Sequence, residues 1–282
     1  MLRRLKGSGA RIVVEIPTYP YIDELKTQGL RGVLKILVDR LFQKPCKGYI
    51  DGFTSPAYEG KILGTDPIPM NNGIDMEGIA PRQPSLAADG SVSLLVVASM
   101  APWHGYERVI GGLRRYEAGH PDRPVYLHMV GEGPALEGYR ELVRQYGLEN
   151  RVTFWGRLSG EPLDRIHDRC QIGVCGLGTH KRGIARTNAL KALEYLSKGM
   201  PIVCDDSEVA LGSGHPYRLD VPMDDSPVDI GAVVAFFDSV YRTGKPEAAV
   251  IDEIRARCAA ECTMDRAMEH VTDFLMNAVF GE

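Results

Sequence analysis

The stretch GTHKRGIARTNALKALEYLSKGMPIV, residues 178–203, decides the fold. A glycine-bearing loop leads into apolar residues at helical spacing over 188–198, and a glycine and a proline then end the helix. The apolar run 201–204 is typical of a buried strand, as is the run 172–175 just before the stretch. This order of strand, helix and strand implies two parallel strands joined by a helix on one face of their sheet.

Similar units repeat from residue 91 to the carboxyl end. Further strands are predicted from residue 91 onward and at 125–130, 152–155 and 217–221. Helices are predicted at 106–118, 134–146, 162–170, 229–242 and 247–280. Continuous apolar runs are typical of strands that are buried on both faces. We therefore predict an α/β fold with a parallel, Rossmann-like sheet covered by helices on both faces.

The first 80 residues carry fewer signals of secondary structure. Strands are predicted at 12–16, 48–53 and 68–70, and a helix at 22–43. This is about half of an α/β domain, whose strand edge needs neighbours to cover it. The basic, amphipathic segment 31–44 could touch an anionic membrane surface, but we expect its apolar face to pack on the first sheet.

Composition and charge exclude several classes of protein. A net charge of −4 argues against a general nucleic-acid binder, which is usually basic. No apolar run approaches the roughly 20 residues that span a bilayer, and the start lacks the features of a signal peptide. The 6 cysteines include no C-x-x-C pair. They are expected to be buried or idle thiols in a reducing cytosol, although Cys170 with Cys175 and Cys258 with Cys262 could be imagined as metal ligands.

The loop before the helix at 188–198 is rich in cations. These are His180, Lys181, Arg182 and Arg186. Thr187 and Asn188 are good N-cap residues, so we expect the helix to begin there. A helix N-terminus with cations beside it suits a phosphate or diphosphate, whereas the alternative is a solvated surface loop.

A carboxylate lies two turns into the same helix. Glu194 shares the polar face with Lys191 and could accept two hydrogen bonds from a ribose diol. The alternative is a surface ion pair with Lys198 at i+4, which contributes little.

Two other turns join a strand to a helix. In VGEGP, Gly131 and Gly133 would let the backbone approach a ligand. The turn fails as a dinucleotide fingerprint because Leu136 holds the third glycine position and Arg151 the place of the ribose carboxylate, so an ordinary tight turn is the alternative.

The other turn is ASMAPWHGYERV, residues 98–109. His104, followed by Gly105, could donate a hydrogen bond to a phosphate oxygen when it is protonated, although a loop histidine is more often simply exposed to solvent. Trp103 is expected to be a core or interface residue.

Five segments, taken in order, resemble the family-4 retaining glycosyltransferases of the GT-B fold. They are NNGID at 71–75, WHGYE at 103–107, VGEGP at 130–134, VTFWGRL at 152–158 and LKALEYLSKGMPIV at 190–203. The resemblance covers roughly residue 12 to the end. EIPTYPY, residues 15–21, looks like part of the first domain of enzymes that build bacterial surface polysaccharides.

The resemblance implies a domain organisation. Residues 1–80 would be a partial N-terminal, acceptor-side α/β domain, 81–90 a polar linker, and 91–255 a Rossmann-like nucleotide-sugar donor domain. Residues 256–282 would be a C-terminal helix that packs back toward the N-terminal part. The family's opening strands and its glycine-rich acceptor loop have no counterpart before Leu2.

The resemblance also implies that a nucleotide-diphosphate sugar binds as substrate, with no cofactor and no obligatory metal. Gly73 would mark the crossing between the domains, Gly131 and Gly133 would lie near the phosphate or sugar, and Arg157 and Leu158 would meet the base. Glu194 matches the carboxylate that holds the ribose. With the residues above, the expected donor-binding set is Gly73, His104, Gly105, Gly131, Gly133, Arg157, Leu158, Arg186, Asn188, Lys191 and Glu194.

Three positions depart from the family pattern. Ser99 stands where the family has arginine, His104 where it has lysine, and Arg186 where it has the first glutamate of its Glu-x7-Glu motif. Phosphate charge would therefore be neutralised by other cations, drawn from Lys181, Arg182, Arg186, Lys191 and His104.

The leading hypothesis is a cytoplasmic glycosyltransferase, peripheral at the inner membrane face, in bacterial polysaccharide or glycolipid assembly. Its partners would be the nucleotide-sugar donor, a glycan or lipid-linked acceptor and a partner chain that supplies the missing N-terminal strands, but no nucleic acid. A first alternative is a nucleotide-sugar-binding pseudo-enzyme or a subunit of a split enzyme. A second is a nucleotide-sugar epimerase.

Overall fold

The computed structural model describes residues 1–26 and 29–280. It divides into two compact units. The first unit comprises Met1–Gly73 and Met264–Glu282, and the second unit comprises Ile74–Thr263. Each unit is described below by itself. The domain boundaries drawn from the sequence stay a prediction.

The second unit contains a six-stranded sheet in the order β5-β4-β3-β6-β7-β8, and every neighbouring pair is parallel. The strands are β3 (Val92–Val97), β4 (Val125–Val130), β5 (Val152–Gly156), β6 (Ile172–Val174), β7 (Ile202–Asp205) and β8 (Arg218–Val221). The α-helices are α4 (Glu107–Ala118), α5 (Leu136–Tyr146), α6 (Glu161–His167), α7 (Leu190–Ser197), α8 (Ile230–Tyr241) and α9 (Glu247–Glu261). Short 3₁₀ turns lie at Pro102–His104 and Thr179–Arg182. The predicted parallel α/β sheet is thus confirmed.

The core forms where the apolar strand residues meet the apolar faces of the helices. Tyr195 of α7 is fully buried, and its hydroxyl accepts a hydrogen bond from the amide of Val97 at 2.8 Å. Its ring fills the space above Gly173, where a Cβ atom would approach the ring to 2.3 Å. The small residue in β6 therefore lets α7 lie close to the sheet.

The strand order reverses between β3 and β6. The chain runs from β3 outward to β5 and then returns to β6 on the other side of β3. Because all the strands are parallel, the loops that follow them leave from one edge of the sheet. At the reversal these loops diverge and leave a crevice, the usual ligand site of such sheets.

The first unit contains a two-stranded parallel sheet, in which β1 (Val13–Glu15) pairs with β2 (Gly52–Thr54). Its helices are α1 (Leu2–Gly7), α2 (Ile22–Lys26), α3 (Leu30–Lys47) and α10 (Met264–Phe280). The strand predicted at 68–70 does not form. The amide of Ile68 donates to the carbonyl of Phe53 at 2.8 Å, but the neighbouring residues do not continue a ladder.

Helix boundaries differ from expectation at several places. Two helices, α9 and α10, replace the single helix predicted at 247–280, because the chain breaks at Cys262, whose backbone is not helical. In the first unit α3 continues past Pro45 to Lys47. Residues 27 and 28 of the helix predicted at 22–43 lie outside the described residues.

The prediction that the apolar face of segment 31–44 packs on the first sheet is wrong. Leu34, Leu37 and Leu41 are 63%, 54% and 72% exposed. The face of α3 that turns inward carries polar groups instead, and Tyr21 donates to Asp39 at 2.6 Å. Hydrogen bonds of Asp39 with Tyr21 and Gln43 thus contribute to the orientation of this helix.

No helix among the described residues combines the length and apolar character needed to cross a membrane. The 6 cysteines form no disulfide, and all except Cys46 are buried. Burial raises the pKa of the Cys170 and Cys175 thiols, so these side chains behave as small apolar groups.

Candidate functional site

A cleft lies at the crevice between the ends of β3 and β6. It is lined by Trp103, His104, Gly176, Thr179, Arg182, Ile184, Thr187, Ala189, Lys191 and Glu208. These residues come from the loops after β3, β6 and β7 and from the start of α7. The cavity volume of about 120 Å³ is small for a whole organic ligand, and suits one polar part of it.

Lys191 is the most enclosed cation of the cleft. Its Nζ donates to the hydroxyl of Tyr106 at 3.0 Å and lies 5.6 Å from the centroid of the same ring. Burial lowers the pKa of Lys191, because a desolvated ammonium group loses its hydration. An anion that entered the cleft would replace that hydration, so the position favours anion binding.

Arg182 and Trp103 form one side of the cleft. The guanidinium carbon of Arg182 lies 5.2 Å from the centre of the Trp103 ring, a cation–π geometry. Trp103 is 38% exposed. The structure therefore does not place Trp103 in the core, so that part of the expectation is wrong, and the interface role stays a prediction. A solvent-exposed aromatic rim suits a planar or sugar ligand.

His104 is neutral at physiological pH, contrary to the expectation of a protonated donor. Its Nδ1 accepts a hydrogen bond from the amide of Ala101 at 3.2 Å, so the ring proton resides on Nε2. Burial, together with the positive charges of Lys191 and Arg182, lowers the pKa of His104 to about 3. His104 can still donate one hydrogen bond from Nε2 as a neutral imidazole.

This titration gives a prediction about stability. A folded-state pKa of about 3 lies below the unfolded value of 6.5, so the unfolded chain binds more protons between these values. Stability should therefore fall as pH drops from 6.5 toward 3, by at most about 1.4 kcal/mol per pH unit from this one group. Urea unfolding at pH 6.5 and 5.5 measures the loss, and His104→Asn, which keeps an acceptor beside Ala101, should lose about 1 kcal/mol less than the wild type over this interval.

The comparison with the variant is needed because burial also lowers the pKa of His128 and His167. Equal pH dependence in both proteins would show that His104 is not buried as a neutral ring.

Glu208 is a cleft residue that sequence reasoning missed. Its carboxylate accepts hydrogen bonds from the amides of Ala189 at 2.9 Å and of Val209 and Ala210 at 3.0 Å, and from the Asn188 side chain at 3.3 Å. Burial raises the pKa of Glu208, and these hydrogen bonds oppose that effect. The acidic sequence DDSE, residues 205–208 at the end of β7, was the available signal.

The expected N-cap at Thr187 or Asn188 is wrong. Helix α7 begins at Leu190, and the preceding Ala189 provides no side-chain cap. The amide of Thr187 donates to the carbonyl of Ser207 at 2.7 Å, which holds this segment extended beside the loop after β7. Glu208 thus accepts a hydrogen bond from the amide of Ala189, beside the helix N-terminus where a phosphate was expected.

The loop cations separate into two groups. Lys181 pairs with Glu107 and lies 3.3 Å from Asp225, and His180 lies 3.0 Å from the same aspartate. Of the four cationic side chains named for this loop, Arg182 lines the cleft, whereas the other three do not. Arg186 is exposed.

Glu194 lies on α7 with an exposed side chain and is not part of the cleft lining. Partial desolvation raises the pKa of Glu194, and the charge of Lys191 opposes that effect. The alternative partner, Lys198, donates instead to Asp164 at 2.7 Å. The structure therefore does not show the surface pair of Glu194 with Lys198.

The glycines of the VGEGP turn are required by the protein itself. Gly131 and Gly133 have φ angles of +125° and +153°, and a Cβ atom would approach the carbonyl oxygens of Ala98 and Ser99 to 1.8 Å. Gly105, with φ +70°, packs in the same way against the backbone of the loop after β6. These contacts fix the turn against the loop after β3.

The remaining predicted residues lie elsewhere. Arg157 is exposed and Leu158 half-buried just after β5, and Gly73 is buried in the first unit. Asn188 is buried beside the cleft. Of the whole expected donor-binding set, His104 and Lys191 line the cleft together.

Arg108 of α4 supports the cleft from behind, and sequence reasoning missed it. This side chain is buried and donates to the carbonyls of Leu177 at 2.6 Å, Ser226 at 2.7 Å and Pro222 at 2.8 Å. It also lies 3.3 Å from a carboxylate oxygen of Asp224. One guanidinium thus ties the loop after β6 to residues 222–226.

Among residues 1–26 and 29–280, no group of three or more His, Cys, Asp and Glu side chains is arranged to hold a metal ion.

The fold is that of the GT-B glycosyltransferases. A glycosyltransferase from Rickettsia africae superposes with a TM-score of 0.61 at 10% identity, over 100% of this chain and 80% of that one. HepE from Anabaena, solved with UDP and glucose, gives a TM-score of 0.65 at 14% identity, over 98% of this chain and 74% of that one. At such identities the likeness concerns the fold alone.

Residues 80–212 match the family described as Glycosyl transferases group 1. The matched segment contains the whole lining of the cleft. A 2-deoxystreptamine N-acetyl-D-glucosaminyltransferase from Streptomyces fradiae is 26% identical over 177 residues. That match covers 62% of this chain but 40% of the relative's length.

Proposed function

We propose that the chain binds a nucleoside-diphosphate sugar in the cleft and transfers the sugar, with retention, to a glycan or lipid-linked acceptor in surface polysaccharide or glycolipid assembly. One observation carries the proposal. The side chains of His104, Arg182 and Lys191 converge on a single cleft at the strand-order reversal, within the segment that matches the Glycosyl transferases group 1 family.

The three side chains have distinct roles in this proposal. Lys191 and Arg182 neutralise the diphosphate, and His104 donates one neutral hydrogen bond from Nε2. Catalysis comes mainly from positioning and from stabilising the negative charge that develops on the departing diphosphate. In this proposal the transfer needs no metal, since Lys191 and Arg182 supply the positive charge that a metal would bring.

Glu194 is proposed to hold the ribose. It lies on α7 one turn beyond Lys191, and its exposed carboxylate can accept hydrogen bonds from a diol on a ligand that extends along the helix. Uridine diphosphate is the first probe, since HepE was solved with UDP and shares this fold.

The test is isothermal titration calorimetry of UDP binding to the wild type and to Glu194→Gln. The amide keeps the shape but weakens the acceptor, so affinity should fall about tenfold. Glu161→Gln on α6 is the matched control, because Glu161 is exposed and pairs with Arg165 at 3.0 Å. Equal affinities of all three proteins would remove Glu194 from the site.

A second candidate function is donor binding without turnover, as a pseudo-enzyme or a subunit of a split enzyme. It is favoured by Arg186, which stands where the resembling family has a glutamate. Incubation of the 282-residue chain with UDP-sugars, followed by product analysis, separates the two. Sugar transfer or donor hydrolysis by the chain alone contradicts this candidate.

A further inference from the structure

The helix α3 has two unlike faces. Successive residues of an α-helix are rotated by roughly 100°, so residues 32, 36, 39, 43 and 46 share one face. On this face Gly32 is buried, and the other four residues are half-buried. Asp39 accepts a hydrogen bond from the Tyr21 hydroxyl at 2.6 Å. This face therefore turns toward the rest of the first unit.

The opposite face of α3 is apolar and exposed. It carries Leu30 (90% exposed), Val33 (50%), Leu34 (63%), Leu37 (54%), Val38 (46%), Leu41 (72%) and Phe42 (61%). By the same rotation these side chains cover about half of the helix circumference. A contiguous apolar patch of this kind marks an interaction surface.

Cations flank the apolar face on both sides. Arg31 and Lys35 lie along one border, and Arg40, Lys44 and Lys47 lie along or near the other, as their positions in the helical rotation require. Asp39 is the single acidic residue in the sequence of α3, and it lies on the inward face. The outward half of the helix is thus apolar at its centre and positive at its edges.

We propose that α3 docks on an anionic lipid surface. In this arrangement the apolar side chains enter the region between headgroups and acyl chains, and the long basic side chains reach the phosphates beside them. Basic residues near a negatively charged leaflet add attraction that weakens with salt. The helix lies along the surface, since its inward face is held by the first unit.

Two other occupants fit the exposed face of α3 less well. A second copy of α3 would bring positive borders against positive borders, which is repulsive. Further strands of the β1–β2 sheet would extend that sheet sideways in its own plane, whereas the apolar face points away from the unit. An anionic bilayer satisfies both the apolar centre and the positive edges.

The experiment is flotation of the 282-residue chain with vesicles of phosphatidylglycerol and phosphatidylcholine, and with vesicles of phosphatidylcholine alone. We expect binding to the anionic vesicles that weakens as salt is raised, and little binding to the neutral ones. A Leu37→Glu, Leu41→Glu double variant should bind at least about tenfold more weakly. Met276→Glu on α10, where Met276 is 49% exposed, is the matched control and should bind as the wild type.

A second pair of changes guards against misfolding of the first. Arg40→Glu with Lys44→Glu alters exposed charges only and should also weaken binding to anionic vesicles, with an unchanged circular dichroism melt. Equal binding to both vesicle types, or unchanged binding of both variants, would overturn the proposal. So would a dimer in sedimentation velocity that the Leu37 and Leu41 changes dissociate without lipid, because the surface would then belong to a second copy.

Discussion

Replacement of Lys191 by methionine is expected to weaken the binding of a nucleoside diphosphate by roughly 30- to 150-fold, which corresponds to about 2–3 kcal/mol for loss of a charged hydrogen-bonding partner. The ammonium group is enclosed, and it donates to Tyr106 at 3.0 Å. A charge that has already lost its water interacts more strongly with an anion than a surface charge does. Methionine keeps much of the aliphatic length, so packing changes little. Calorimetry with UDP measures the change.

Lys198→Met is the matched control. Lys198 follows the same helix, but its ammonium donates to Asp164 at 2.7 Å and lies outside the cleft lining. Its loss should change affinity by less than about twofold, since surface ion pairs contribute little. If Lys191→Met binds UDP as tightly as Lys198→Met does, the diphosphate does not bind in this cleft.

Replacement of Arg108 by methionine is expected to lower the free energy of unfolding by about 3–5 kcal/mol. The change leaves the buried carbonyls of Leu177, Ser226 and Pro222 without the donor that now reaches them at 2.6–2.8 Å. It also releases the loop after β6 that carries one side of the cleft. Urea unfolding followed by circular dichroism measures the loss.

Arg115→Met on the same helix separates this effect from a general loss of charge. Arg115 is exposed in the last turn of α4, so its replacement should stay within about 0.5 kcal/mol of the wild type. Equal stabilities of the two variants would mean that water or other donors satisfy the three carbonyls. A weaker affinity of Arg108→Met for UDP, at a urea concentration where it is folded, would further connect this anchor to the cleft.

Much of the fold could be predicted because its signals are local. The apolar run at β3 and the strand–helix–strand stretch from β6 to β7 gave the parallel sheet. Errors occurred where long-range contacts outweigh local preference. Thr187 and Asn188 are favourable N-caps, but the amide of Thr187 and the side chain of Asn188 bond to the loop after β7, and α7 begins later.

The candidate site was predicted in part. Lys191 and His104 were expected near a phosphate, and they do line one cleft. The protonation state of His104 was misjudged, because it depends on burial and on Lys191 and Arg182, which lie far away in the sequence. Arg108 was missed for the same reason, since its partners Leu177 and Ser226 are 69 and 118 residues away in the sequence. Glu208 was missed although the acidic residues around it were a signal.

The sequence by itself determined that strands and helices alternate, that the strands are parallel, and hence that the loops after them meet at one edge of the sheet. Periodicity and turn residues act over a few positions and encode this much. Only the tertiary structure decided which loop cations face the cleft, which carboxylate bonds the start of α7, and which face of α3 stays exposed. Those outcomes rest on contacts such as that of Ala189 with Glu208, 19 residues apart, whose energies depend on burial and geometry that no local pattern contains.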